Sequence, residues 1–149
     1  MTTETIMHQK LVARSATVGV LGQGYVGLPL ALEVSRAGFN TIGFDVSAER
    51  VAQLNAGRSH ITDVSDDDIA KAIAGGKYRA TDDFAELGRC DVIVICVPTP
   101  LRKTKDPDIS YIVSAVDSVK QHIRPPALIV LESTTYPGTT DELVVAELE

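Results

Sequence analysis

The chain has 149 residues, 44% hydrophobic and 23% charged, a composition and length that suit one globular domain with its own core. Its formal net charge is −6 and no Lys/Arg cluster interrupts it, which argues against a nucleic-acid partner. Cys90 and Cys96 fit neither a CxxC pair nor a metal site, so neither a disulfide framework nor a bound metal is expected.

Residues 1–14 mix polar and charged side chains without an apolar core, so they read as a flexible arm and not as a signal peptide. Thr17–Leu21 is a short strand, followed by a glycine turn and a helix over Tyr25–Ala37, whose Val26, Leu30, Val34 and Ala37 recur about once per turn. Pro29 predicts an irregularity near the start of that helix, and Gly38 sits where its C-terminal cap belongs. Thr41–Asp45 is a second strand, and Ser47 caps a helix over Ala48–Asn55. After a loop over Gly57–Val64, Ser65 followed by Asp66, Asp67 and Asp68 opens another helix, which Gly75 and Gly76 close.

A third strand lies near Tyr78–Ala80, before a helical turn at Asp82–Leu87. Asp91–Val97 has no polar alternation and predicts a strand buried on both faces, broken by Pro98-Thr99-Pro100. A helix over Ile109–Ile123 is capped by Asp108, a fifth buried strand covers Leu128–Glu132, and a last helix begins near Pro137 or Gly138. Strands alternating with helices predict an α/β fold of the Rossmann type. It is a three-layer, doubly wound parallel sheet with strand order 3-2-1-4-5, spanning residues 15–149. No run is long and apolar enough to span a membrane, and a cytoplasmic protein without a membrane partner is the simplest expectation.

Gly22-Gln-Gly24-Tyr-Val-Gly27 follows a predicted strand and opens a predicted helix, and Asp45 ends the next strand 18 residues on. In that context the glycines read as a dinucleotide fingerprint. Gly22 permits the tight turn, Gly24 lets a pyrophosphate approach the backbone, and Gly27 allows the helix to lie against the strand. Amides near Tyr25 and Val26 then meet the phosphates at the positive end of the helix. Asp45 is expected to accept the adenosine ribose hydroxyls and to repel a 2′-phosphate, which favours NAD over NADP. A purely structural turn, and a capping role for Asp45, are the competing readings. Arg50 either reaches the same ribose or is an ordinary solvated helix charge.

In an open parallel sheet, ligands lie beyond the carboxyl ends of the strands. Val97-Pro-Thr99-Pro100 and Ser133-Thr134-Thr-Tyr-Pro-Gly-Thr139 stand at two such ends, as cofactor contacts or as turn chemistry. Cys96 lies between Ile95 and Val97, so a core thiol is favoured over a nucleophile, and Cys90 reads the same way. His60, in the loop after Gly57, reads as a surface histidine.

Four segments taken together resemble the UDP-glucose/GDP-mannose dehydrogenase family: Gly22-Gln-Gly-Tyr-Val-Gly-Leu-Pro-Leu-Ala31, Leu54-Asn-Ala-Gly57, Cys96-Val-Pro-Thr-Pro100 and Glu132-Ser-Thr-Thr-Tyr-Pro-Gly-Thr139. Asn55-Ala-Gly-Arg-Ser59 and Glu132–Gly138 look most like its UDP-N-acetylglucosamine 6-dehydrogenase branch. The resemblance implies oxidation of the C6 alcohol of a UDP-sugar to a carboxylate with two NAD, through a cysteine-bound intermediate, as in polysaccharide biosynthesis. It implies NAD contacts at Val26, Asp45, Arg50, Thr99 and Thr134, with Thr134 also positioning water at the reacting centre. Gly22, Gly24, Tyr25, Gly27, Val97 and Ser133 complete the expected cofactor site. Neither Cys90 nor Cys96 matches the family's nucleophile. The chain therefore reads as a cofactor domain that stops before the central helix and the sugar-nucleotide domain. It is expected to bind NAD weakly or not at all by itself, to lack turnover, and to belong to a homo-oligomer when full length. A free-standing NAD sensor and the cofactor domain of a β-hydroxyacid dehydrogenase are the alternatives.

Overall fold

A computed structural model describes residues 2–98, 100, 102–104 and 108–132. Five parallel strands form one sheet in the order β3-β2-β1-β4-β5, as the sequence predicts. They are β1 (Thr17–Leu21), β2 (Asn40–Phe44), β3 (Tyr78–Thr81), β4 (Val92–Ile95) and β5 (Leu128–Leu131). The helices are α1 (Thr3–Ala13), α2 (Gly27–Arg36), α3 (Ala48–Asn55), α4 (Asp66–Ala74) and α5 (Ser110–His122), with a 3-10 helix over Phe84–Arg89.

Successive strand residues face opposite sides of the sheet, so the core divides in two. Val18, Val20, Val92 and Val94 pack with Leu28 and Leu32 of α2, Leu54 of α3 and Ile69 of α4. Leu21, Phe44, Ile93 and Ile95 pack on the other side with Leu87 and with Ile112, Val116 and Val119 of α5. Caps stand where their residue types predict. Ser47 accepts the Arg50 amide, and Ser65 and Asp68 form a reciprocal capping box. Gly38 follows α2 with a φ of 101°, a conformation in which glycine carries no Cβ penalty.

Four expectations need correction. The N-terminal segment is not a loose arm but the helix α1, capped by Thr2. Met7 and Leu11, one turn apart, rest on the core, and Lys10 pairs with Asp91 at 2.8 Å. Pro29 causes no interior defect, because α2 begins at Gly27 and leaves it in the first turn, where backbone donors lack an intrahelical partner. Asp108 lies one residue before the cap position of α5, held by Ile109, yet its carboxylate still accepts the Ser110 amide at 2.9 Å. β5 is half-exposed rather than buried, and among the described residues it pairs with β4 alone. The predicted last helix lies outside the described residues.

Candidate functional site

The carboxyl ends of β1, β2, β4 and β5 open onto a cleft of about 550 Å³, within the range of small-ligand sites. It is lined by the glycine turn from Gly22 to Val26, by Asp45, Val46 and Arg50 beyond β2, and by Cys96, Val97 and Pro98 beyond β4. Tyr111, Ser114, Ala115 and Ser118 of α5 and Glu132 after β5 close the far wall.

Each glycine of the turn meets a different constraint. Gly22 has a φ of 92°, and a Cβ there would stand 2.7 Å from the Cys96 carbonyl oxygen. A Cβ at Gly27 would stand 1.6 Å from the Gly22 carbonyl oxygen, so any side chain drives α2 off the turn. At Gly24 a Cβ would meet nothing within 4 Å. Packing therefore explains Gly22 and Gly27 but not Gly24, whose bare backbone borders open cleft. That is the cradle a dinucleotide pyrophosphate requires, and the site fits the cofactor expected from the sequence.

Asp45 lies at the tip of β2 and is 6% exposed. Its Oδ2 accepts the Gln23 amide at 3.1 Å and Arg50 Nη1 at 3.3 Å, and its Oδ1 accepts the Ser47 amide at 3.0 Å. Ser47 caps α3 through its own hydroxyl, so capping does not account for Asp45. Arg50 is not a free helix charge, since it turns back onto Asp45 at the rim of the cleft.

His60 is not the surface residue expected. It is half-buried, and both of its ring nitrogens are out of solvent without a hydrogen-bond partner among the described residues. Burial and the nearby Arg50 hold its pKa below the usual histidine value, against opposing effects of the Gln23 backbone and Asp45.

Cys96 is buried at the cleft floor, and burial with the Glu132 charge pushes its thiol up to about 11. Burial pushes Cys90 up to about 12. Neither supplies thiolate near neutral pH, in keeping with core thiols. Among the described residues no helix is long and apolar enough to cross a membrane, and no cluster of three or more His, Cys, Asp or Glu stands ready for a metal.

The structure thus brings Gly22, Gly24, Tyr25, Val26, Asp45, Arg50 and Val97 to one cleft, with Gly27 supporting the turn from behind. Thr99, Ser133 and Thr134 lie outside the described residues. Sequence reasoning missed Gln23, whose side chain turns inward and is 0% exposed, and its partner Tyr78, 3% exposed. It also missed Tyr111 and the α5 wall. A variable position inside a glycine fingerprint gives no signal of burial, although a glycine at position 43 within a strand does hint at close packing.

The model of the UDP-glucose/GDP-mannose dehydrogenase family, NAD binding domain, matches residues 16–149. A UDP-N-acetyl-D-mannosamine dehydrogenase of Pyrococcus horikoshii is 37% identical over 85% of the chain, and a UDP-N-acetyl-D-glucosamine 6-dehydrogenase of Pseudomonas aeruginosa is 36% identical over 89%. The chain spans 30% of the length of each of these relatives. Among solved structures, a GDP-mannose dehydrogenase from Pseudomonas aeruginosa superposes with a TM-score of 0.84 at 31% identity, covering 89% of this chain and 31% of that one.

Proposed function

The chain belongs to the UDP-glucose/GDP-mannose dehydrogenase family, and we propose that it is the cofactor-binding part of an enzyme that oxidises the C6 alcohol of a UDP-sugar to the carboxylate. The matching domain is the family's NAD-binding one, so NAD is the cofactor. The relatives named above point to a UDP-N-acetylhexosamine as the sugar nucleotide. A homo-oligomeric, cytoplasmic enzyme without membrane attachment completes the reading.

One observation carries the assignment of the cofactor site: Gly24 lacks a side chain where the fold leaves room for one, beside a helix start and a buried carboxylate. Amides around Gly24, Tyr25 and Val26 hold the pyrophosphate, favoured by the α2 dipole. Asp45 grips the adenosine ribose. A carboxylate offers about four acceptor sites, and three are taken by Gln23, Ser47 and Arg50. The remaining lone pair takes one ribose hydroxyl. The Arg50 contact, the longest of the three at 3.3 Å, yields to the other, leaving Arg50 to follow the ribose edge. A 2′-phosphate would bring its charge against Asp45, so NADP is disfavoured. The family resemblance implies that Val97, Thr99, Ser133 and Thr134 serve the nicotinamide half, with Thr134 positioning water. NAD held there would supply the hydride acceptor for oxidation at the sugar's C6 carbon.

Calorimetric titration with millimolar NAD and NADP tests this reading. The chain takes up NAD weakly and NADP at least about tenfold more weakly. Gly24→Ala retains the wild-type Tm but loses NAD, because the new methyl enters only cleft space. Equal affinity for the two dinucleotides, or unaltered NAD binding by Gly24→Ala, defeats the assignment. No oxidation of UDP-N-acetylglucosamine is expected from this chain by itself.

A further inference from the structure

We propose that Gln23 and Tyr78 form a buried positioning pair that sets the orientation of the glycine turn before any ligand arrives. The proposal rests on the turn being the pyrophosphate site. Gln23 Nε2 donates to the Val20 carbonyl at 3.0 Å and to the Gly22 carbonyl at 3.1 Å. The Gln23 amide donates to Asp45 Oδ2 at 3.1 Å. The Gly22 carbonyl and the Gln23 amide belong to one peptide plane, so both of its polar ends are held. The first is held by the Gln23 side chain and the second by the carboxylate that faces the ligand. Tyr78 then fixes the side chain itself, its hydroxyl donating to Gln23 Oε1 at 2.9 Å.

Gly43, next to the last residue of β2, makes the slot for this pair. A Cβ there would lie 2.4 Å from Gln23 Oε1 and 3.0 Å from the Tyr78 hydroxyl. No positive φ requires glycine at this position, so the requirement is the space itself. The Tyr78–Gln23 bond by itself gives stability little reason for the arrangement, since apolar groups of the same shape in place of both its partners are near neutral. What a fully satisfied polar network adds is direction, and here the direction is that of the peptide leading into Gly24. The Gln23 and Tyr78 side chains are buried beneath the turn, so they act through its backbone and not as ligands.

Residue-resolved amide hydrogen exchange on the whole chain tests the pair without any cofactor. Tyr78→Phe leaves Gln23 Oε1 without its donor, and Gln23→Met with Tyr78→Phe removes both groups of that bond together with the Nε2 donor to the Val20 and Gly22 carbonyls. In both variants the Gln23 amide is expected to exchange about tenfold faster or more. The Thr41 and Cys96 amides, bonded within the sheet to Lys77 and Leu21, stay within about twofold of wild type. Uniform acceleration across all these amides, or an unchanged Gln23 amide in the double variant, overturns the proposal and leaves a merely structural pair. The double variant answers the question if Tyr78→Phe does not fold. Parallel titration shows weaker NAD binding in both variants. Equal uptake of NAD and NADP, or NAD binding untouched by Gly24→Ala, counts against the cofactor reading, while the exchange pattern still decides the fate of the pair.

Discussion

Two carboxylates stand at carboxyl ends of strands and look into the same cleft, yet their surroundings differ. Asp45, beyond β2, is 6% exposed and accepts from two amides and a guanidinium. Glu132, beyond β5, is exposed, and its charge acts on the buried Cys96 thiol. The first is built into the scaffold and arrives oriented, so a ligand that binds it bears little ordering cost. The second follows a half-exposed edge strand and contributes mainly a local field. Equal charge on the cleft wall does not mean equal function; the donors already aimed at a carboxylate separate a recognition group from a bystander.

Substituting Asp45 by Ala breaks that contrast with the largest effect. It leaves the Gln23 and Ser47 amides without their acceptor, at about 1–3 kcal/mol for an unsatisfied buried donor, and lowers Tm by several degrees. In calorimetry it weakens NAD by about tenfold or more, since charge-assisted bonds are worth about 1.5–3 kcal/mol. Glu132→Gln, by contrast, leaves Tm and NAD affinity within about twofold-equivalent error of wild type, as expected of an exposed side chain. A loss of affinity in Glu132→Gln as large as in Asp45→Ala would erase the distinction.

Glu132→Gln does have a consequence at Cys96. Removing the neighbouring negative charge lowers the thiol pKa from about 11, so iodoacetamide labels Cys96 faster at pH 9. Labelling at the wild-type rate would show that burial alone sets the shift. The same raised thiols make the fold sensitive to alkali. Cys90 and Cys96 stay protonated in the native state above the pH at which the unfolded chain releases them. Their contribution is therefore full at neutral pH and declines as pH rises toward about 11 and 12. Thermal melts from pH 8 to pH 11 should show a falling Tm, and Cys90→Ala should flatten that fall.

His60 supplies the smallest effect. Its pKa is depressed in the folded chain, so the unfolded state binds the proton more readily. The associated stability is present above the ordinary histidine range and is lost as pH drops through it toward the folded value. Wild-type Tm should decline between pH 7 and pH 5, and His60→Asn should decline less. Identical slopes would place the acid sensitivity elsewhere.

The sheet order and the packing tasks of Gly22 and Gly27 were readable from the sequence, because they follow from strand–helix alternation and from the spacing of the glycine turn. Residues whose role depends on distant partners were not. In α1, Ile6 and Val12 beside Met7 and Leu11 face solvent, so the apolar residues form no single stripe that announces a packed helix; what docks it is the pairing of Lys10 with Asp91, 81 residues away. Gln23 looks like a solvated turn residue until Tyr78, 55 residues on, comes beneath it. Leu128–Leu131 reads as core from its side chains alone, but burial of a strand depends on having neighbours on both edges, which one sequence run does not encode. Asp45 was visible as an acid at the right distance, whereas its sharing with Gln23 and Ser47 depended on the turn closing over it.

Asp91 has a role at the other rim of the sheet. Its Oδ1 receives Lys10 Nζ at 2.8 Å, and its Oδ2 receives the Thr17 amide at 2.9 Å. This clasp fastens the first helix to the strands' amino ends, opposite the mouth of the cleft. Mechanical load, fusion partners or trimming applied at α1 are thus felt by the scaffold's anchorage and not by its recognition groups. Engineering that needs a handle on the domain can loosen or reinforce this back edge while the binding mouth keeps its shape.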